Sequence, residues 1–225
     1  MNRRWSYRIA RSGAREDRGE RRSRSRTRSR RTPSSVVGEP SLKSSPAAPA
    51  FVVRKLQISV IGYDAKLCTK AAYEAAYQVG RSLAKAGAVL INGGLGGVME
   101  AASKGATEAG GLAIGIIPSD DADLANAYCV IVIPSGFGFA RNFLVVNSAD
   151  AVIVVGGGAG TLTEAAAAYG VGKPIFAVKG TGGVADSWAG KYFDDRKTVK
   201  VAVAESAEAA VTMALKAASR TRPRA

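Results

Sequence analysis

Short apolar runs alternate with helical stripes along the chain from about residue 53 onward. The runs 53–61 (VRKLQISVI), 89–91, 112–117 (LAIGII), 128–133 (YCVIVI), 152–155, 174–178 and 198–202 predict strands. Between them lie helical patterns. In 69–86, Thr69 is a candidate cap and Ala72, Ala75, Ala76, Val79 and Leu83 form a stripe, with Gly87 as the stop. Further helices are predicted over 98–109, within 136–148, after residue 160, over 185–190 and over 206–218. Pro118 and Pro134 close two of the strands. Strands alternating with helices predict an α/β, three-layer fold: a mostly parallel sheet with helices on both faces.

The first fifty residues break this pattern. They are rich in Arg, Ser and Pro, and 21–31 reads RRSRSRTRSRR. Too little apolar surface is present to offset the entropy of ordering, so 1–52 is expected to be a disordered tail. A single domain is expected over 53–218 and a basic tail over 219–225. The N-terminal tail has three readings: an organellar transit peptide, an arm that touches nucleic acid, or upstream sequence with the start of the protein near Val52. The last is favoured, because Glu16, Asp17 and Glu20 sit poorly in a transit peptide.

Charge is consistent with this division. The net charge of +14 resides in residues 1–52 and 216–225, and 53–215 is neutral. The body shows no Lys/Arg stripe with interleaved aromatics, so nucleic acid is not the expected partner. The chain has no histidine, which excludes Ser-His-Asp and Cys-His schemes and the commonest metal ligand. No metal site is expected. Cys68 and Cys129 make no C-x-x-C pair and read as structural thiols. No apolar run reaches the roughly 20 residues of a membrane span. A cytoplasmic protein is expected, or an organellar one if the tail is a transit peptide.

Candidate chemistry gathers at two glycine loops, each following a strand. The first contains Gly93, Gly94, Gly96 and Gly97; the second contains Gly156, Gly157, Gly158 and Gly160, with Thr161 adding a hydroxyl. Glycines let backbone N–H groups approach a ligand, and a helix N-terminus adds unpaired donors and a positive dipole end. Both loops are expected side by side on the carboxyl edge of the sheet, holding one phosphate. The spacing matches neither the dinucleotide fingerprint nor a Walker A loop. Glu164, one turn into the helix, reads either as a solvated surface residue or as a group for sugar hydroxyls or chemistry. Arg141 reads as a surface charge, as a partner of Asp150, or as a site residue.

The span from about 56 to 215 resembles the Rossmann-like superfamily of the Lonely Guy (LOG) phosphoribohydrolases and the molybdenum cofactor carrier proteins. The Lonely Guy motif Pro-Gly-Gly-x-Gly-Thr-x-x-Glu is met by Gly156-Gly157-Gly158-Ala159-Gly160-Thr161-Leu162-Thr163-Glu164. The arginine of the preceding helix is met by Arg141, and the first loop resembles the family's Gly-Gly-Gly-x-x-Gly-Leu-Met segment. Gly156 stands for the family's proline and Asn142 for its common lysine, which points to a Lonely Guy-like branch or to the carrier proteins. The resemblance implies a phosphorylated, nucleoside monophosphate-like ligand held by the glycines, Thr161 and Asn142. Arg141 and Glu164 would then cleave the base from ribose 5′-monophosphate. The alternative it implies is a carrier of molybdenum cofactor, a pterin phosphate, or a nucleotide sensor without catalysis. No cofactor is required in either case; molybdenum cofactor would be cargo. It also implies a homodimer or homotetramer, for which Phe139, Phe143 and Leu144 are candidates unless they are core.

Overall fold

The structure is a computed structural model, and it describes residues 54–221. The expected N-terminal tail lies outside the described residues, as do 222–225 of the C-terminal one. Seven strands form one parallel sheet in the order β4-β3-β2-β1-β5-β6-β7. They are β1 (Gln57–Gly62), β2 (Val89–Asn92), β3 (Leu112–Ile117), β4 (Ile131–Pro134), β5 (Ala151–Val155), β6 (Ile175–Val178) and β7 (Val201–Ala204). The helices are α1 (Lys70–Lys85), α2 (Val98–Glu108), α3 (Arg141–Asn147), α4 (Ala159–Gly170), α5 (Gly183–Trp188) and α6 (Ala207–Thr221). The expected three-layer Rossmann-like architecture is therefore present.

Period-two alternation divides the sheet's side chains between two cores. Ala151, Ile153 and Val155 of β5 face α1, α2 and α6, while Val152 and Val154 face α3, α4 and α5. Each such fully buried aliphatic contributes about 1.5–3 kcal/mol. The central strands are apolar throughout because both faces are covered.

Helix α1 follows from its sequence. The Thr69 hydroxyl accepts from the Ala72 amide at 3.1 Å, and Ala72, Ala76, Val79 and Leu83 are buried. Small residues then bring α1 against α2. A Cβ on Gly80 would lie 1.9 Å from the Ala102 carbonyl oxygen, and one on Gly105 would lie 2.0 Å from that of Tyr77. The two helix backbones touch through this seam.

Several boundaries differ from expectation, β1 among them, since residues 54–56 do not join it, and three have a visible cause. Tyr128 and Cys129 do not join β4. Asn126 holds them in a turn, its side-chain oxygen accepting from the Tyr128 amide and its carbonyl from the Cys129 amide. β7 begins three residues late because the Thr198 amide donates to the Tyr169 hydroxyl and Lys197 takes a φ of 51°. Helix α6 runs into the expected C-terminal tail, as far as Thr221.

The chain leaves β1 toward β2 on one side and returns at β5 on the other. Gly62 pairs with Val155, so the carboxyl ends of β1 and β5 stand together. This is the point at which strand order reverses, where open α/β sheets form a crevice.

Candidate functional site

A cavity of about 490 Å³ opens at that point. Its floor is the end of β1, from Val60 to Tyr63. One wall is the start of α4, with Gly158, Ala159, Gly160, Thr161 and Glu164. The opposite wall carries Gly93, Leu95 and Met99, and α3 contributes Arg141 and Asn142.

The two glycine loops do different things there. In the second, the amides of residues 158–161 have no hydrogen-bond partner among the described residues, as the opening of a helix requires. A Cβ on Gly158 would meet only Leu67 at 3.6 Å, and one on Gly160 only Phe139 at 3.7 Å. Those glycines open onto the cavity. Gly156 and Gly157 do not line it. The Tyr63 ring lies 2.3 Å from where a Gly156 Cβ would stand, and Thr161 packs at 2.4 Å from that of Gly157. The φ of 61° at Gly156 is closed to proline, which accounts for the glycine where the resembling family has proline. The Gly156 amide is taken by the Thr181 hydroxyl at 2.8 Å. Thr161 lines the cavity, but its hydroxyl donates to the Gly62 carbonyl at 2.9 Å and ties α4 to β1.

Of the first loop's glycines only Gly93 lines the cavity. A Cβ there would lie 2.1 Å from a guanidinium nitrogen of Arg141, so this glycine makes room for the arginine. Gly94 presses on Ile117, Gly96 on Ala65, and Gly97 on the Tyr63–Asp64 backbone. Asn92, fully buried, accepts from the Gly94 amide and donates to the Met99 carbonyl and the Ser103 hydroxyl. The Val98 amide at the start of α2 already donates to the Tyr63 carbonyl. The two loops thus differ in packing: the glycines of the first lie against side chains and backbone, whereas Gly158 and Gly160 of the second open onto the cavity. Gly94, Gly96, Gly97, Gly156 and Gly157 shape the backbone around the cavity.

Arg141 and Glu164 meet inside it. Their Nη1 and Oε1 atoms are 3.5 Å apart, and both side chains are 9% exposed. This excludes the reading of either as a surface charge. Asp150 pairs with Arg54 instead. Burial lowers the pKa of the Arg141 guanidinium, and the Glu164 carboxylate partly offsets this; the group remains a cation. Burial pushes the Glu164 carboxyl up to about 7, against the opposing pull of Arg141. The Glu164 contact is the only hydrogen bond of the Arg141 side chain among the described residues, so other guanidinium donors are available. Asn142 is 4% exposed and lines the cavity, yet its amide makes no hydrogen bond among the described residues.

Several lining residues were not anticipated. Leu67, Leu95, Met99, Pro118 and Phe139 make an apolar surround, and Asp64 adds a second carboxylate. Tyr63 and Asp64 directly follow β1, and their place at the carboxyl end of a strand was the available signal. Phe139 had no such signal, because a short 3-10 turn at Gly138–Ala140 sets its direction. Among the described residues no group of His, Cys, Asp and Glu could hold a metal, and no helix is long and apolar enough to cross a membrane.

Residues 55–211 match the model of the SLOG cluster4 family. An uncharacterized protein of Archaeoglobus fulgidus is 48% identical over 127 residues, covering 56% of this chain and 82% of that protein. The molybdenum cofactor binding protein of the phototrophic bacterium Rippkaea orientalis is similar in structure, with a TM-score of 0.65 and 35% identity over 72% of this chain and 97% of that one. The molybdenum cofactor carrier protein of Chlamydomonas reinhardtii gives a TM-score of 0.65 and 30% identity over 74% of this chain and 99% of that one.

Proposed function

The chain belongs to the SLOG cluster4 family, and from that premise we propose that its cavity captures a small phosphorylated heterocycle. The phosphate rests on the open amides of residues 158–161 at the positive end of α4. Arg141 supplies the second contact. The apolar surround of Leu67, Leu95, Met99, Pro118 and Phe139 takes the ring, and the cavity's size suits a nucleotide or a pterin phosphate. The observation that carries this reading is Arg141, buried in the cavity wall with Glu164 as its one side-chain hydrogen-bond partner among the described residues, which leaves guanidinium donors to give.

Carriage of a pterin phosphate such as molybdenum cofactor is the reading favoured by the two structural neighbours named for that ligand. Hydrolysis of a nucleoside 5′-monophosphate is the second reading, favoured by Glu164. A carboxyl poised near neutrality in a closed site can protonate a leaving base or, ionised, stabilise positive charge on the ribose ring. Thermal shift with nucleoside monophosphates and pterin phosphates tests the binding step. A ligand at a hundred times its Kd is expected to stabilise the fold by about 2.7 kcal/mol. Stoichiometric release of free base, lost in Glu164→Gln, would establish hydrolysis; binding of a pterin phosphate without turnover of nucleotides would establish carriage.

A homo-oligomer joined at the mouth of this cavity is part of the same proposal. Phe137, Phe139 and Phe143 are 65, 64 and 50% exposed, so they do not belong to the core. Sedimentation of wild type against Phe143→Ser is the check, with dissociation expected in the variant.

A further inference from the structure

The charges around the cavity do not balance once a phosphate is added. Three charged side chains line it: the Arg141 cation and the Glu164 and Asp64 carboxylates. Arg141 faces Glu164, and with both groups ionised the pair is neutral. A phosphomonoester brings close to two negative charges at neutral pH. It would then share Arg141 with a buried carboxylate on the same wall, and like charges in a site of low polarity disfavour ionisation.

We propose that the cavity takes up a phosphomonoester together with one proton, which comes to rest on the Glu164 carboxylate. This rests on the phosphate-binding reading above. The proton does three things at once. It removes one of the opposed negative charges, it frees Arg141 to turn its donors to the phosphate, and it converts an acceptor into an O–H donor for the ligand. The balance is simple: solvent supplies the proton, the carboxylate becomes a carboxylic acid, and no covalent bond to the ligand is made.

No other group near Glu164 is placed to take that role. Helix α3 presents Arg141, which remains protonated throughout. β5 presents only apolar side chains. The Asp194–Arg196 pair lies against Tyr169 toward the other end of α4, and those residues satisfy one another. Tyr63 lines the cavity, but its hydroxyl lies against Gly183 at the start of α5. Asp64 is exposed, and its Oδ1 accepts the Lys66 and Leu67 amides. Burial has already brought the Glu164 carboxyl to about 7, so the proton is available near neutrality. The bound state holds more protons than the free state, so raising the pH above that value favours release.

Isothermal titration of the full chain with a nucleoside 5′-monophosphate, and separately with inorganic phosphate, tests this at pH 8. Each titration is run in two phosphate-free buffers of different ionisation enthalpy. The heats are expected to differ by the equivalent of roughly half a proton or more taken up per ligand, and affinity to fall up to tenfold from pH 8 to 9. Glu164→Gln is expected to take up almost no proton and to lose the pH dependence, whereas Asp64→Asn keeps both. Binding with equal heats in the two buffers overturns the proposal and leaves the phosphate site standing. Uptake that persists in Glu164→Gln, or vanishes in Asp64→Asn, also overturns it, because the proton then sits elsewhere. If Glu164→Gln does not fold, an affinity flat from pH 7 to 9 in wild type overturns it. Failure of both ligands to bind at any pH from 6 to 9 removes the phosphate reading itself, and this proposal with it.

Discussion

The loop of residues 92–97 and the loop of residues 156–160 stand on the same edge of the sheet, two strands apart, with four glycines each. Both lead into a helix. In the first, the Val98 amide donates to the Tyr63 carbonyl, and a Cβ on Gly97 would stand 2.5 Å from the Asp64 backbone. In the second, a Cβ on Gly158 or Gly160 would meet its nearest side chain only at 3.6 or 3.7 Å, and the amides of 158–161 have no partner among the described residues. Glycine content therefore does not identify an anion site. The two loops differ instead in the room their glycines leave. Arg141 joins the two loops: it lies over Gly93 of the first and pairs with Glu164 behind the second.

The contrast can be broken by substitution. Gly97→Ala is expected to have the largest effect. Its φ of 72° and the 2.5 Å approach to backbone combine strain and overlap, for a loss of about 3 kcal/mol or more in chemical denaturation. Next is the pH dependence that Glu164 confers. Its pKa is raised from 4.5 to about 7, so the native state binds more protons than the unfolded chain between those values. Stability from this group is full below about 4.5, falls as pH rises to about 7, and is flat beyond, a change of about 3 kcal/mol. Glu164→Gln is expected to flatten that slope in a series of melting curves. Thr181→Val strands the Gly156 amide and is expected to cost about 2 kcal/mol, with the second loop loosened and the first unchanged in hydrogen exchange. Smallest in stability are Gly158→Ala and Gly160→Ala, expected within about 1 kcal/mol of wild type. Their affinity for a phosphate ligand is expected to fall about tenfold or more, because each Cβ enters the cradle. If Gly94→Ala weakens binding as they do while leaving the fold intact, the contrast between the loops is wrong.

Much of this was legible in the residues. The order of elements was, because apolar runs, Thr69 and the Gly and Pro stops are local signals. The second loop and Glu164 were legible through their motif, and Arg141 through the resemblance. What spacing could not show was direction. Whether Arg141 turned to Asp150 or to Glu164 depended on a seat at Gly93, nearly fifty residues away. The fate of the first loop depended on Tyr63 and Asp64 reaching across from β1. Phe139, Phe143 and Leu144 carry the same apolar letters whether they pack inward or outward, and the 3-10 turn with the short α3 after it turns them out.

The seam at Gly80 and Gly105 has a mechanical consequence. Two helices that meet backbone to backbone cannot slide past one another without collision, so α1 and α2 behave as one stiff plate behind the sheet. The rim of the cavity on that side is a fixed jaw. Any breathing that admits a ligand falls to the opposite jaw, the short turn and helix that carry Phe139 and Arg141. A spin label placed there, and not on α1, would register entry.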